Sequence, residues 1–593
     1  MTSQQQTWDL ESIFPGGSSS PELHQQLDAV GAKITALRQR VGDLTPDLTL
    51  AQFRTLVQDM QDIQTYLGQC RAFIGCLTAQ DVRDSEAKLL QGDLGQISAA
   101  LAGVFTAIDH IFVSVSEKNW QTFLEDEELK ELSFSLNERR DVARTKMAPE
   151  LEILVTDLEV DGYHAWSDLY YTIVGEMSIE IERDGRTQTL SMGQAANLLS
   201  NPEPKVRQEV FHKYEDAWAG NEELFASTLN HLAGFRINLY RNRGWNDVLS
   251  EPLQRNRMER ATLDAMWTSV QVGKPYLVRY LERKAELLGL DKIAWYDLFA
   301  PVGDAGKEIA FSEAKTFVVD QFRKFSPAMA DFTQGALDKR WVEAENRGGK
   351  RPGAFCTSFP LSKESRVFMT YSGTISSVGT LAHELGHAYH GYVLKDAPQF
   401  LRRYAMNVAE TASTFGELLV VDGAIGAAAS PAEKLGILED KIGRSVAFFM
   451  DIHSRFLFET RFYEARKRGL VSAAQLNELM AQAQKDAFLG SLKEYHPHFW
   501  ASKLHFYSTG VPFYNFPYTF GYLFSTGVYA RAKKEGPGFA ESYANLLKDT
   551  ARMSVEDLAR KHLGVDLTKT DFWEAAVKLA IDDVEEFLGL TGE

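Results

Sequence analysis

The segment Thr380–Tyr389 reads TLAHELGHAY and places two histidines, His383 and His387, four residues apart. On a helix this spacing puts both imidazoles on one face, about one turn apart, so that both can reach one Zn²⁺ at about 2.0 to 2.1 Å. The neighbouring residues are largely apolar, which favours a buried helix whose polar side chains need partners. The segment therefore predicts a helix that holds zinc, one ion per chain.

Glu384 directly follows the first histidine, which places its carboxylate beside the metal and not on it. In this position it can accept a proton from a water molecule that the metal activates. The alternative is a chance match on an ordinary helix, which we expect in roughly one of fifty chains of this size. We therefore predict a zinc hydrolase in which Glu384 is the general base.

Catalytic zinc needs a third protein ligand and an open position for water. His390 follows His383 at a distance of about 10 Å along a helix, which is too far to share one metal, so we expect it to be structural or to support the ligands. The next acidic candidates lie in the helical-looking segment Asn407–Leu419. We assign Glu410 as the ligand and Glu417 as a carboxylate that orients a histidine N–H, with an exposed surface position as the alternative for Glu417.

Helical spacing of apolar residues dominates the chain on both sides of this segment. Two β-favouring stretches interrupt it: Met177–Met192, which predicts a hairpin, and Ala354–Tyr371, which predicts a small sheet directly before the histidine helix. A chain of 593 residues also exceeds one simple core. We predict a mainly α protein, with an N-terminal helical domain that carries the hairpin at residues 1–195 and a catalytic domain at residues 196–593.

The composition excludes several classes of protein. A formal net charge of −18 opposes extended contact with nucleic-acid phosphates, so nucleic acid is not an expected partner. The three cysteines, Cys70, Cys76 and Cys356, fit reduced thiols better than a disulfide framework. The N-terminus lacks a signal-peptide pattern, and no window approaches about 18 uninterrupted apolar residues. We therefore expect a cytoplasmic protein that does not span a membrane.

A segment rich in glycine, proline and aromatic residues, His505–Tyr522, interrupts the helices downstream. It combines imidazole and hydroxyl donors with turn residues, which would suit a mobile loop that stabilises an oxyanion. From the residues alone, an aromatic-rich junction within the core is an equal alternative. Tyr507 is expected in the core.

Together these motifs resemble the oligoendopeptidase F and thimet oligopeptidase family of zinc peptidases, and more closely its bacterial oligoendopeptidase F branch. The residues that carry the resemblance are HELGHAYH at His383–His390, AETAST at Ala409–Thr414, HFY at His505–Tyr507 and YNFPYTFGYLFS at Tyr514–Ser525. The likeness continues upstream and covers most of the chain.

The resemblance implies a mainly helical, elongated body with a deep substrate channel, and cleavage of internal bonds in short peptides. It implies a zinc ion held by two histidines and a glutamate, with Glu410 as the third ligand. Donors to the scissile carbonyl oxygen would be His505, Tyr514 and Tyr522, with Tyr518 as a further candidate. Two alternatives stay open: a helical peptide-binding scaffold whose metal site is structural or inactive, and a zinc exopeptidase. The oligomeric state is not predicted.

Overall fold

The computed structural model describes residues 6–183, 185–302 and 308–592. These residues form 24 α-helices and five strands, which confirms the predicted mainly α class. The first twelve helices are α1 (Pro21–Gly42), α2 (Leu50–Gln80), α3 (Ser85–Ser114), α4 (Glu117–Leu124), α5 (Ser133–Arg144), α6 (Pro149–Glu159), α7 (Ala165–Glu176), α8 (Met192–Asn197), α9 (Pro204–Ala219), α10 (Glu222–Asn242), α11 (Ser250–Arg255) and α12 (Arg260–Leu287). The others are α13 (Phe311–Phe325), α14 (Pro327–Asp338), α15 (Ile375–Val393), α16 (Met406–Ala427), α17 (Pro431–Val446), α18 (Ile452–Arg466), α19 (Ala473–Ala487), α20 (Phe499–Ser502), α21 (Phe516–Glu535), α22 (Ala540–Asp549), α23 (Val555–Leu563) and α24 (Asp571–Thr591).

The chain divides into two compact units, each assembled from three separate stretches. The first unit comprises residues 1–149, 307–423 and 531–564, and the second comprises residues 150–306, 424–530 and 565–593. The domain boundary predicted between residues 195 and 196 falls inside a stretch of the second unit. The division into an N-terminal helical domain at residues 1–195 and a catalytic domain at residues 196–593 stays a prediction, as does the substrate channel.

The first unit contains the small sheet predicted before the histidine helix. Its strands are β3 (Val342–Glu343), β4 (Phe355–Phe359) and β5 (Glu364–Phe368), in the order β3-β5-β4. β3 runs parallel and β4 antiparallel to β5. The N-terminal stretch packs onto this sheet, because the ring of Trp8 lies 5.7 Å from that of Phe368 and the backbone N–H of Trp8 donates to the Glu343 carboxylate at 3.3 Å. The sheet is therefore part of the core that supports α15.

Helix α3 is apolar enough to raise the question of a membrane. Among the described residues it is the one helix whose length and composition would suit a membrane span, with a mean hydropathy of 1.6 over the relevant window. Its buried positions recur at helical spacing, as at Leu94, Leu101, Val104 and Ile108, and they join the hydrophobic core of the first unit. One such helix is weak evidence for a span, because a core helix passes the same test.

The second unit contains the predicted hairpin and two π-helical turns. Strands β1 (Ser178–Arg183) and β2 (Arg186–Ser191) pair antiparallel, which confirms the alternating pattern seen in the sequence. The π-helical turns are Val160–His164, before α7, and Ala447–Asp451, between α17 and α18. Such turns insert one residue into a helix and often occur at functional sites.

Candidate metal centre

Helix α15 carries the two histidines on one face. It begins after Thr374, whose side chain accepts a hydrogen bond from the backbone N–H of Ser377 and so satisfies one of the free N–H groups at the helix start. The ring centroids of His383 and His387 lie 5.0 Å apart, and both side chains are half-buried. The four-residue spacing therefore has the effect that the sequence predicts.

Glu410, on α16, faces both histidines with one carboxylate oxygen. Its Oε2 lies 3.2 Å from His383 Nε2 and 3.5 Å from His387 Nε2. One ligand atom from each residue lies within 4.8 Å of the other two, and within the described residues this is the one such group of histidine, cysteine and acidic side chains. Two ligands of a tetrahedral zinc ion lie about 3.3 Å apart, given bonds of about 2.0 to 2.1 Å. The donor set and its spacing therefore fit zinc.

Two glycines allow α15 and α16 to approach this closely. A Cβ atom at Gly386 would lie 2.4 Å from the carbonyl oxygen of Ala412 and 2.7 Å from Cα of Ser413. In the opposite direction, a Cβ at Gly416 would lie 3.2 Å from the carbonyl oxygen of Ala382. Backbone atoms cannot move aside as a flexible side chain can, so side chains at these positions would push the helices apart. The distance between the glutamate and the histidines therefore depends on glycine.

Glu417 supports the first histidine from the side opposite Glu410. It is buried, and its Oε2 accepts a hydrogen bond from His383 Nδ1 at 3.0 Å. A proton on Nδ1 leaves the lone pair of Nε2 directed at the candidate metal position. Glu417 therefore does not occupy an exposed surface position, which was the alternative considered from the sequence.

Ser413 is a site residue that the sequence reasoning missed. Its hydroxyl donates to Glu410 Oε2 at 2.7 Å, the same oxygen that faces the two histidines. Burial acts to raise the pKa of Glu410, but the neighbouring imidazoles of His383 and His387 outweigh it and hold this pKa well below its usual range. The signal in the sequence was the three-residue spacing within AETAST, which brings a serine onto the same helix face as the glutamate.

Glu384 is buried, with 5% of its surface exposed. Its Oε2 atom has no hydrogen-bond partner within the described part of the chain. Burial raises the pKa of this carboxyl, whereas the neighbouring histidines act to lower it. A buried carboxylate oxygen without a partner costs free energy, so its retention indicates a use outside the protein's own contacts. The carboxylate is thus available to a water molecule or a substrate.

His390 has a structural environment. Its Nε2 lies 2.9 Å from the hydroxyl of Thr550 and donates to the carbonyl oxygen of Leu547 at 3.2 Å, both around the end of α22. Its ring stacks on that of Tyr404 at a centroid distance of 4.2 Å. Burial lowers the pKa of His390 to about 3, so its imidazole is neutral at pH 7. It binds α15 to α22 and is not one of the three converging ligands.

The second unit brings together three of the predicted oxyanion donors. His505 lies in the 3₁₀ turn Leu504–Tyr507, and its ring centroid is 5.1 Å from that of Tyr514 and 6.2 Å from that of Tyr518. All three side chains are half-buried. Burial, and secondarily the charge of Arg455, lower the pKa of His505 to about 4, so it is a neutral donor at pH 7. The group has the chemistry to bind an anionic oxygen.

The structure does not bring Tyr522 into this group. Its ring is 5% exposed and stacks on Phe448 at 4.5 Å, and its hydroxyl hydrogen bonds with that of Ser445 at 2.9 Å. These contacts are those of a core residue. Tyr507 is also in the core, as expected, with its ring stacked on Tyr170 at 4.0 Å.

Known proteins resemble this chain over nearly its full length. The family model described as Peptidase family M3 matches residues 197–579, and a model described as Oligopeptidase F matches residues 112–178. Oligopeptidase PepF of Bacillus subtilis (strain 168) is 26% identical over 98% of this chain and 87% of its own length. An oligoendopeptidase F homolog of Lactococcus lactis subsp. lactis (strain IL1403) is 21% identical over 97% of this chain and 95% of its own.

A solved structure shares the fold. Oligoendopeptidase-F from Enterococcus faecium has a TM-score of 0.72 and 19% sequence identity, covering 96% of this chain and 99% of that one. At this level of identity the likeness shows the fold alone. The helical architecture described above is therefore the architecture of a solved peptidase.

Proposed function

The chain belongs to peptidase family M3, which confirms the resemblance seen in the sequence, and from this premise we propose that it is a zinc-dependent oligoendopeptidase. Metallopeptidase activity comes with the family. In our proposal the metal is zinc, His383, His387 and Glu410 hold it, and the bonds cleaved are internal peptide bonds. The proposal extends to short peptides as substrates, because the similar proteins carry the names oligopeptidase and oligoendopeptidase.

The observation that carries the proposal is the convergence of His383 Nε2, His387 Nε2 and a carboxylate oxygen of Glu410 within 4.8 Å. These three residues would hold zinc. When bound, zinc supplies a Lewis acid that polarises the peptide carbonyl and makes water a stronger acid. Two histidines and one glutamate are a ligand set of known zinc peptidases, and three protein ligands leave one position open.

Glu384 would move the proton. Its buried Oε2 has no partner among the described residues, so it can accept the proton of the attacking water and later deliver it to the leaving amine. Glu417 fixes the tautomer of His383 through the 3.0 Å contact, and Ser413 fixes the carboxylate of Glu410. Each group thus has a defined task before a substrate binds.

The proposed role of His505, Tyr514 and Tyr518 as hydrogen-bond donors comes from the resemblance to the oligoendopeptidase F family. His505 and Tyr514 would donate hydrogen bonds to the developing oxyanion, and Tyr518 belongs to the same ring cluster. Tyr522 was predicted as a donor as well, but its hydroxyl is already paired with Ser445.

Phenylalanine variants of Tyr514, Tyr518 and Tyr522 separate these roles. We expect a loss of turnover of about 10²-fold for the true donor and little change for a core tyrosine that retains its packing.

Two alternative functions, a peptide-binding scaffold and a zinc exopeptidase, differ from the proposed one in what they require of the site and the substrate. A peptide-binding scaffold with a structural metal has no need of a buried carboxylate oxygen that lacks a partner beside the ligands, and Glu384 Oε2 is such an atom within the described residues. A zinc exopeptidase would use the same ligands but would require a free peptide terminus. A cytoplasmic location and the absence of nucleic-acid or membrane partners stay predictions from composition.

The decisive experiment combines metal analysis with mass spectrometry of digests of end-blocked peptides of graded length. We expect one zinc per chain, internal cleavage, and Glu384→Gln protein that retains zinc but loses turnover by about 10² to 10⁴-fold. Glu127→Gln, a change at an exposed position, is the matched control. A fully active Glu384→Gln protein, or cleavage only at free termini, would contradict the proposal.

A further inference from the structure

The loop that carries Tyr514 is held in place by arginines. It comprises Ser508–Asn515, between the 3₁₀ turn and α21, and the sequence suggested that it could be mobile. Three arginines each donate one hydrogen bond to it: Arg236 to the carbonyl of Ser508 (3.1 Å), Arg255 to that of Gly510 (2.8 Å) and Arg455 to Oδ1 of Asn515 (3.2 Å). They come from α10, α11 and α18, so the loop is fixed from several elements of the second unit.

Of the three arginines, Arg455 binds the residue nearest to Tyr514 in the sequence, because its partner Asn515 directly follows Tyr514. Asp451, the last residue of the π-helical turn, accepts two hydrogen bonds from the Arg455 guanidinium, at 2.6 and 3.2 Å. All three side chains are buried, with Asn515 only 1% exposed. Asp451 directly precedes α18 and lies four residues, about one helical turn, before Arg455. A buried chain Asp451–Arg455–Asn515 results.

Stability is a poor explanation for such a chain. Taking two charges out of water costs free energy that their attraction repays only in part, so a buried ion pair is weak evidence of stabilisation. A guanidinium fixed by two bonds to a carboxylate, however, has its remaining N–H groups aimed in one direction. In this protein that direction leads to Asn515 Oδ1, and the geometry is that of a positioning device.

Position matters for an oxyanion donor, since a displacement of about 1 Å can cost about 10²-fold in rate. We propose that Arg455 is a positioning residue that, together with Asp451 and Asn515, holds the backbone at Tyr514 so that its hydroxyl meets the scissile carbonyl oxygen. This inference rests on the proposed function, in which Tyr514 is a donor. Arg455 touches neither metal ligands nor substrate in this scheme. It acts on Tyr514 through Asn515, and its charge, which also acts on His505, is retained in the Arg455→Lys variant used below.

The test is a double-mutant cycle with an end-blocked, internally quenched peptide as the probe. Arg455→Lys retains the positive charge but loses the planar guanidinium, which can donate to Asp451 and Asn515 at the same time. We expect kcat to fall about 10- to 100-fold, KM to change by less than about twofold, and zinc content to stay unchanged. In the Tyr514→Phe background the same substitution should cost less than about threefold, because the group that it positions is already absent. An equal loss in both backgrounds overturns the proposal.

Two further sets of variants keep the test independent of folding. Arg461→Lys, on the same helix α18, alters an arginine that pairs with Asp486 and should leave kcat unchanged. Asn515→Ala should reproduce the loss, while Asn515→Asp should restore most of it, since it keeps the acceptor oxygen and the Asn515 Nδ2 has no partner within the described residues. Equal activity of Asn515→Ala and wild type overturns the positioning role. Failure of the proposed function looks different: wild-type protein then cleaves nothing, or Glu384→Gln remains active.

Discussion

At the scale of single residues, the candidate metal centre depends on hydrogen bonds that fix two of its three proposed ligands, Glu410 and His383, before any metal binds. Glu410 Oε2 receives the hydroxyl of Ser413, and His383 Nδ1 donates to Glu417. Partners of this kind restrict the rotation of a ligand and set its tautomer, so that less freedom is lost when the metal is bound. The ligands are thus pre-arranged by their neighbours.

Substitution of Ser413 by alanine should therefore weaken zinc binding. We expect the affinity to fall about 10-fold or more, because Glu410 loses the donor that fixes its orientation. Competition with a chromogenic chelator measures the change. The matched control is Thr380→Ala, on α15, which removes a hydroxyl that donates to the backbone carbonyl of Ser376 within the same helix. Equal zinc affinity in the Ser413→Ala and wild-type proteins would contradict the role of Ser413.

A second residue-scale prediction concerns His498, which bridges two glutamates in the second unit. Its Nδ1 donates to Glu215 at 2.7 Å and its Nε2 donates to Glu222 at 3.0 Å. Burial alone would lower the pKa of His498, but the two carboxylates outweigh burial and raise it. A raised folded-state pKa means that the stabilisation is fully present below about pH 6.5 and is lost as the pH rises through the folded-state value.

The carboxylate of Glu215 limits the stabilisation from this cluster at low pH. Burial acts to raise the pKa of Glu215, but His496 and His498 outweigh it and lower the pKa to about 2. That contribution is present above the ordinary glutamate value and is lost as the pH falls towards 2. The contribution of this cluster to the free energy of unfolding should therefore be largest between about pH 4.5 and 6.5.

Urea unfolding at pH 6 and pH 9 tests this prediction. We expect His498→Gln to lose more unfolding free energy at pH 6 than at pH 9, because only the protonated imidazole bonds both carboxylates. His212→Gln is the control, since His212 lies near Glu494 at 3.1 Å in an exposed position where water screens the interaction. A His498→Gln loss that is the same at both pH values would show that the bridge does not depend on protonation.

At the scale of elements, the approach of α15 to α16 determines the candidate metal centre. Two glycines permit this approach, and a Cβ at Gly386 would lie only 2.4 Å from a backbone carbonyl oxygen. The small sheet and α22 then hold α15 on its other sides, the latter through His390. A change of one methyl group between the two helices should thus alter the distances between ligands.

Gly386→Ala should destabilise the protein by about 1 to 3 kcal/mol through overpacking and should also lower its zinc content. Gly426→Ala is the matched control, since it lies on α16 where, beyond the adjacent backbone of the helix itself, no described atom lies within 4 Å of the added methyl group. That control should gain up to about 1 kcal/mol through helix propensity. Denaturant unfolding and metal analysis of both proteins check the prediction. Normal zinc content in Gly386→Ala would show that the helices tolerate separation.

At the scale of the whole molecule, all three proposed ligands and Glu417 belong to the first compact unit. A ligand that binds only folded protein stabilises the part that forms its site, by about 4 kcal/mol when its concentration is about a thousand times its Kd. The second unit has its own packed core, for example between α12 and α24. Metal binding should therefore stabilise local structure unevenly along the chain.

Removal of metal by a chelator should increase hydrogen–deuterium exchange in α15 and α16 more than in α12 and α24. The physical reason is that the amides of α15 and α16 are protected by the helices that the metal links, whereas α12 and α24 are held together by packing and by polar contacts such as Arg279–Glu585, none of which involves the metal. Mass spectrometry of peptides from the two regions measures the difference. Glu384→Gln, which keeps the ligands, should respond to chelator as the wild type does. A uniform rise in exchange over all four helices would contradict the prediction.

The sequence by itself determined the helix at Thr380–Tyr389, the shared face of His383 and His387, and the place of Glu384 beside them. These are local properties, since helix periodicity alone relates residues one turn apart. The mainly α class and the hairpin followed from periodicity in the same way.

The tertiary structure decided which distant residues join that helix. Glu410 and Glu417 lie seven positions apart, and only the close approach at Gly386 determines that one faces the two Nε2 atoms and the other reaches Nδ1 of His383. In the same way, Tyr518 joins the ring cluster of His505, while Tyr522 enters the core. Residues far apart in the chain meet through packing, which depends on shape and volume across the fold and not on the spacing of residues within a helix.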